Sequence, residues 1–496
     1  MRRGAIAALV VLAVLAVPVL LGGCTVAHRV DLSVPLAPGP FRQTGAAAAT
    51  EVTAAKEGAA PRVASTWPTM FGDPRLARLV EQALEQNLDI RQANARIDLA
   101  RAAVTASRAD LSPQVDAGAG VSHSRASGTI DNALPKRMMR TWTVAADVTY
   151  TVDWTGALRG EAAAAQSNAV AAEADADAAK LRVATELAAD YLTLHYVDED
   201  IDALKRSVAL RETAVKLVEA RARVGNTSDL DVLRARTEWQ TTRAELIESQ
   251  RQRDNLVSAM AVLLGQSAAT FALESAGGAV TVPPVPVGMP AEVLAQRPDV
   301  YAAGRRLDAA AWAVGVARTA WLPQLTLTAD GGFASRSLSD FLDRNSSLWG
   351  LAASLALPLF DGGRRDAALA AAQARYTLDE AAYRGIAYDA LREVQVALND
   401  IAAGRERIAS FDAAASTSDQ VAQLSRRRYT LGYVDYFEVV NSDRDALSIE
   451  RDAIHARQAL AVATVALVRA LGGGWSAQQS ATTAHVAVAA SAVSAQ

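Results

Sequence analysis

After Pro113 the chain alternates: Val115, Ala117, Ala119 and Val121 are apolar, while Gln114, Asp116, Gly118, Gly120 and Ser122 are polar or small. Successive side chains of an extended strand point to opposite faces, so a period of two predicts a strand with one apolar and one polar face. The pattern returns from Trp142 through Val144, Ala146, Val148, Tyr150 and Val152. It appears again at Leu325, Leu327, Ala329 and Phe333, and once more from Trp349 through Leu351, Ala353 and Leu355 to Leu357. Four strands of roughly ten residues are expected, the length that crosses a bilayer when tilted. The segments between them, Ser122 to Arg140 and Ser335 to Ser347, are polar and hold Gly128, Pro135, Asp340 and Asn345, which predicts exposed loops closing two hairpins.

Elsewhere the chain reads as helix. Glu161 to Val224 contains neither Gly nor Pro, and at 1.5 Å rise per residue it would span ~95 Å if continuous. Leu230 to Leu264 and Tyr433 to Leu471 are equally free of both. The run after Gly363 carries Gly385 and Gly404, which predicts local bending or weaker helix there. Ala163, Ala164, Ala171, Ala174 and Ala178 recur where neighbouring helices need to approach closely, as in coiled coils.

The chain also repeats itself. Sliding it along its own length pairs Asp89 with Asp299, Ala93 with Ala303, Arg96 with Arg306, Asp98 with Asp308, Arg108 with Arg318 and Pro113-Gln114 with Pro323-Gln324. With a slightly shorter offset Trp142 pairs with Trp349, Gly156 with Gly363, Arg221 with Arg428, Gly225 with Gly432 and Leu264-Gly265 with Leu471-Gly472. An internal duplication of this kind has to be recognised before any element is assigned. It divides the chain into repeat one over 67–265, a Pro-rich linker over 266–290 and repeat two over 291–475. A small-residue, low-complexity tail covers 476–496.

Composition narrows the function. With 50 Lys+Arg against 54 Asp+Glu, a net charge of −4, this is no basic nucleic-acid binder. Aromatics make up only 5%, which suits extended helices packed through small residues better than a globular core. A single cysteine excludes a disulfide framework and any Cys-based metal cage. That cysteine ends Leu21-Gly22-Gly23-Cys24, after Arg2, Arg3 and the apolar run Ala5 to Leu21, so 1–23 reads as a secretory signal. The stretch resembles a bacterial lipobox, in which Cys24 would be lipidated and head an extended segment over 24–66; an ordinary signal peptide or anchor with an incidental cysteine is the alternative. Thr25, not Asp, follows, and by the sorting rule of such lipoproteins this implies the outer membrane. Beyond the signal no run of 18 or more apolar residues exists, so a membrane-crossing mature chain must use strands. Lipid-exposed sheets must close, and barrels begin at about eight strands, so four per chain require an oligomer.

Pro113-Gln114 and Pro323-Gln324 each follow an Ala/Arg-rich helix. Taken with Gln296-Arg297-Pro298-Asp299-Val300, Phe360-Asp361-Gly362-Gly363 and the lipobox, they make the chain resemble the outer-membrane efflux proteins of the TolC/OprM family, on their lipoprotein, NodT-like side. The likeness covers Trp67 to Trp475. One departure is Asp153-Trp154-Thr155-Gly156-Ala157-Leu158-Arg159, where the family more often has Asp-Leu-Trp-Gly-Arg-Leu-Arg. The resemblance implies an α+β membrane protein. Its homotrimer would form a twelve-stranded β-barrel, four strands per chain, continuous with a long α-helical periplasmic barrel.

The resemblance also implies roles. The turns holding Val224, Gly225 and Asn226 and Leu431, Gly432 and Tyr433 look like the periplasmic tips that meet an adaptor, the membrane fusion protein. A plain helix hairpin inside a bundle is the other reading of these turns. Glu438 and Asn441 match the positions that ring the closed aperture, with Asp231 and Arg234 as their repeat-one equivalents. Tyr429 matches a gate-linking Tyr whose expected Arg partner falls at Val434. Asp116, Asp147 and Asp330 lie on the polar strand faces, hence toward a lumen, and would favour cations.

Enzymatic readings find no support: the five histidines are scattered, no Walker loop, His-Glu-x-x-His or Gly-x-Ser-x-Gly occurs, and neither catalytic residue, metal site nor cofactor is expected. Asp198-Glu199-Asp200 reads as a solvated helix face. Energy would come from an inner-membrane pump of the RND type, for efflux of small toxic compounds. Type I protein secretion is the rival, and a lipid-anchored coiled-coil scaffold without a pore is the reading from another class.

Overall fold

The computed structural model describes residues 30, 32–34, 41, 66–127, 138–275, 280–285, 287 and 290–475. The signal segment, Cys24 and the tail over 476–496 lie outside them.

A short 3-10 turn, Trp67–Phe71, leads into α1 (Pro74–Gln86) and α2 (Leu88–Ala109). Strands β1 (Gln114–Arg125) and β2 (Met138–Val152) follow, then α3 (Ala157–Arg223) and α4 (Asp229–Leu263). After α5 (Pro290–Ala295) the order recurs: α6 (Pro298–Thr319), β3 (Gln324–Ser335), β4 (Ser347–Ala356), α7 (Arg364–Thr430) and α8 (Tyr436–Ala470). In the long helices the repeat holds residue for residue, since α2 and α6 each have 22 residues, α3 and α7 each 67, and α4 and α8 each 35.

One expectation is corrected. β1 and β2 run past Ser122 and Arg140, pairing Ser122 with Thr141, His123 with Arg140, Ser124 with Met139 and Arg125 with Met138. A ladder is held by backbone hydrogen bonds, so polar side chains do not end it. Gly385 and Gly404 both lie inside α7, whose helical assignment runs through them. A Cβ at Gly404 would meet Leu460 of α8 at 3.4 Å, so there the glycine lets two helices approach.

One compact unit comprises Met1–Ser33, Arg96–Ala172 and Ala302–Tyr383 and holds the sheet, antiparallel in the order β1-β2-β3-β4. The other comprises Val34–Ala95, Glu173–Tyr301 and Arg384–Gln496. Its core gathers Phe71, Leu76, Leu187, Tyr191, Met260, Leu264, Leu467 and Val468. The Tyr191 hydroxyl donates to Asp73, whose carboxylate also caps α1 by accepting from Arg75 N at 2.8 Å.

The duplication is visible in how helix ends are satisfied. Buried Asn87 donates to the carbonyl of Leu263 at 2.9 Å, and Arg297, its equivalent, donates to that of Ala470 at 3.1 Å. Gly265 and Gly472 follow with φ of +67° and +84°, and a Cβ on either would collide with the backbone of Gln86 or Gln296. Arg297 is also held by Glu393 at 2.7 Å and Asp299 at 2.6 Å. The Gln-Arg-Pro-Asp motif is therefore a buried clamp between α6, α7 and α8.

Candidate functional site

The strand register sorts the sheet into two faces. Residues directly opposite each other in antiparallel strands share a face. One face carries Val115, Val121, Trp142, Val144, Val148, Leu327, Phe333, Trp349 and Leu351. On the other, Asp116 lies opposite Asp147, Asp147 opposite Asp330, and Asp330 opposite Gly350. Three carboxylates thus share one cross-strand row, all exposed. Like charges directly opposite destabilise a sheet, so the row has no stabilising role. Gly350 makes room for it: a Cβ there would lie 2.5 Å from Asp330 Oδ1.

The helical hairpins turn in matching ways. At the end of α3, Gly225 N donates to the Ala222 carbonyl at 2.9 Å and Asn226 N to that of Arg221 at 2.9 Å; Gly225 adopts φ of +75°. At the end of α7, Gly432 N donates to Tyr429 O at 3.1 Å and Tyr433 N to Arg428 O at 2.9 Å, with Gly432 at φ of +80°. These are left-handed C-caps that glycine adopts without a Cβ penalty. Ser228 caps α4 and Asp435 caps α8. Val224, Leu431 and Tyr433 project at the turns, each about 70% exposed.

The positions expected to form the gate differ from one another. Glu438 is exposed, its backbone N–H bound by Asp435 at 3.0 Å, and Asn441 is half-buried. Asp231 is engaged: Thr227 and Ser228 hydroxyls both donate to it at 2.9 Å, and Arg234 stands at 3.7 Å. Partial burial raises its pKa, but those hydrogen bonds outweigh it and hold the carboxyl below its usual range. Tyr429 has no arginine at Val434. Its ring lies instead under Arg221 of repeat one at 4.6 Å and beside Tyr436 at 5.6 Å, while its buried hydroxyl has no partner among the described residues. Tyr436, Val439 and Val440 of α8 pack here on Val215, Val218 and Ala235. Burial, reinforced by the Asp443 carboxylate, pushes the Tyr436 phenol up to about 12.

Asp198-Glu199-Asp200 is not a solvated face. Asp198 and Asp200 are buried, Asp198 paired with Arg253 at 2.6 Å, and Asp200 with Arg451 at 2.7 Å and Ser249 at 2.8 Å. Arg451 reaches from α8 and also pairs with Glu245 at 3.0 Å. A carboxylate is buried only when it is paired, and the partners lie far along the chain, out of reach of local reading. The available signal was the comparison of repeats, since Arg405 and Arg407 occupy the equivalent positions.

No helix among the described residues is long and apolar enough to cross a membrane. A family model described as outer membrane efflux protein matches the chain over 79–266 and 289–473, once in each repeat. Outer membrane protein OprJ of Pseudomonas aeruginosa is 30% identical over 458 residues, covering 92% of this chain and 94% of that protein. The probable outer membrane lipoprotein SilC of Salmonella typhimurium is 26% identical over 412 residues, 82% of this chain and 88% of its own. Among solved structures, the outer membrane protein VceC of Vibrio cholerae superposes with a TM-score of 0.77 at 27% identity, over 83% of this chain and 99% of that one. The expected fold class stands: each chain contributes four strands and long paired helices to the trimeric channel architecture of these proteins, in an outer-membrane transport protein rather than an enzyme. In both of its repeats, then, the chain belongs to the outer membrane efflux protein family.

Proposed function

We propose that the protein is the outer-membrane exit duct of a tripartite efflux system, carrying small toxic compounds delivered by an inner-membrane RND pump through a periplasmic adaptor. The observation that carries this reading is the sheet, whose outer strands β1 and β4 have no further neighbour among the described residues and whose faces are one apolar, one polar. Such a sheet satisfies its edges in lipid only by joining copies of itself. In the trimer the apolar face meets lipid, and Asp116, Asp147 and Asp330 line the lumen as a ring of nine carboxylates, favouring cations. Cys24, lipidated, anchors the chain.

The two turns form the periplasmic tips. Val224, Leu431 and Tyr433 offer exposed apolar contacts to the adaptor, with Gly225, Asn226 and Gly432 shaping the turns. Glu438 and Asn441, with Asp231 beside them, surround the aperture. Single-channel recording on purified protein in planar bilayers tests the reading. A conductance that prefers cations in a salt gradient is expected. Absence of conductance, even from Glu438→Ala, would revive the pore-free scaffold. Co-purification with an ABC transporter instead of an RND pump would favour protein secretion.

A further inference from the structure

The apolar face of the sheet does not stay apolar to its far end. It runs from Val115 to Val121 on β1 and from Val152 back to Trp142 on β2. At about 3.3 Å per residue, Trp142 to Val152 covers about 33 Å along the strand, or about 23 Å along the membrane normal at a tilt of about 45°. That is the height of the apolar band, about 25 Å, that such barrels place in hydrocarbon. Trp142 therefore closes the band, at the level where aromatic side chains mark its edge.

Beyond Trp142 the same face turns basic. His123 lies directly opposite Arg140, and Arg125 opposite Met138. Both pairs keep the parity of Val121 and Trp142, so they lie on the lipid side, about 5 Å and 9 Å further from the hydrocarbon. Arg125 and Arg140 are diagonal neighbours, about 7–8 Å apart at the backbone. His123, Arg125 and Arg140 are all exposed, and no carboxylate pairs with them among the described residues. At the helix end of the sheet the arginines are neutralised instead: Arg159 pairs with Asp153 at 2.9 Å, and Arg365 with Asp361 at 2.7 Å. Two guanidinium groups so close together repel each other, so the fold gains nothing from them.

Next to this row is an apolar cavity. Phe341, in the loop between β3 and β4, packs on Phe333 with ring centroids 6.2 Å apart. With Leu338 it borders a space of about 290 Å³ over Val121, Trp142 and Val144, the last residues of the apolar band.

We propose that this end of the sheet binds a phosphorylated lipid of the outward-facing leaflet. Arg125 and Arg140 hold the headgroup phosphate, His123 donates an N–H to it, and an acyl chain lies in the cavity beside Leu338 and Phe341. The planar fork of arginine matches phosphate oxygens, and basic side chains just outside the hydrocarbon recognise anionic headgroups. A phosphate free in solution would use the arginines alone, whereas the cavity adjoining them selects a lipid. The inference rests on the apolar face meeting lipid in the duct proposed above.

Lipid A, an acylated disaccharide carrying two phosphates, is the probe, titrated into the detergent-solubilised trimer and read by native mass measurement. One lipid per chain is expected. Arg125→Gln with Arg140→Gln should bind it at least about tenfold more weakly. Leu338→Asp, which sets a charge at the exposed border of the cavity, should bind it several-fold more weakly. Arg223→Gln with Arg427→Gln removes the same charge from exposed positions at the ends of α3 and α7, and should stay within about twofold because charge outside the site is screened by salt. With the parent protein, lipid A stripped of its phosphates should also bind at least about tenfold more weakly, a measurement that does not depend on any variant folding. Unchanged binding in the Arg125→Gln, Arg140→Gln variant, or equal binding of the stripped lipid, overturns the inference. Inorganic phosphate that competes with lipid A mole for mole overturns it too, because the cavity then selects nothing. Conductance of the same samples in planar bilayers separates the two readings. A conducting parent that takes up no lipid A sinks the site and leaves the duct standing, while a parent that binds lipid A without conducting keeps the site and removes the duct.

Discussion

Repeat one and repeat two share the lengths of their three long helices and the same glycine turns, yet their charges often run in opposite senses. Glu219 pairs with Arg236 at 2.6 Å in repeat one, and at the equivalent positions Arg426 pairs with Asp443 at 2.8 Å, the signs exchanged. A pair whose two members reverse together keeps its attraction, so duplication tolerates it. Asp198 and Asp200 against Arg405 and Arg407 is a different case. Their partners did not reverse, because Leu460 stands where Arg253 would be and Ala244 where Arg451 would be. The first kind of difference leaves the fold unchanged, while the second makes the two halves unequal.

The strongest way to break the comparison is to remove Arg451. Asp200 then lies buried with Ser249 as its remaining partner, and a loss of about 3 kcal/mol in denaturant unfolding is expected. Arg407→Ala, at the exposed position equivalent to Asp200, should cost no more than about 0.5 kcal/mol. Equal losses would mean that the buried network is not what separates the repeats.

A somewhat smaller effect is expected in the sheet. A Cβ at Gly332 would strike Val144 O and come within 2.6 Å of Ala145 Cα, so the main chain of β2 has to move. Gly332→Ala should cost about 1–3 kcal/mol, read as a lower melting temperature of the detergent-solubilised trimer. Ser122, the equivalent on β1, already carries a Cβ, and Ser122→Ala should be neutral within about 0.5 kcal/mol.

Much of this was legible before the structure. Strand alternation from Val115 and Trp142 fixed which residues share a face, because a period of two leaves no other choice. Gly225 and Gly432 marked the hairpin turns because a left-handed cap favours glycine. Hidden from local reading were contacts made across the repeats. Tyr429 stacks on Arg221, and Asp200 binds Arg451, only because two hairpins far apart in sequence lie side by side. The extension of β1 to Arg125 was missed for a different reason: His123 and Ser124 carry no hydrophobic signal, and the backbone ladder that continues there leaves no trace in side-chain pattern.

Near the tips the comparison turns on one carboxylate each. Asp231→Ala removes the acceptor for Thr227 and Ser228 and should destabilise by about 1 kcal/mol. Its folded pKa is lowered, so its contribution is complete above the unfolded value of about 3.9 and fades as pH falls through the lower folded one. Stability measured from pH 6 down to pH 2 should therefore drop less steeply in the variant. Glu438, the proposed gate position of repeat two, makes no such bonds with its side chain among the described residues, and Glu438→Ala should leave stability unchanged while reducing cation preference.

The smallest expected effect is the most specific to the sheet. Asp330→Asn removes one of three carboxylates per chain from the row Asp116, Asp147, Asp330, leaving the other two in place. The reversal potential in a salt gradient should move only part of the way toward zero, because the remaining charges still act on the same cross-section of the lumen. Repeat one has Gly120 at the position equivalent to Asp330, so Gly120→Asp places a fourth carboxylate on the same face, away from the row. If cation preference depends on the carboxylates being level with one another, Gly120→Asp adds less than Asp330→Asn removes. If total lumen charge alone governs, the two shifts are equal and opposite, and the alignment of the row across three strands has no consequence for conduction.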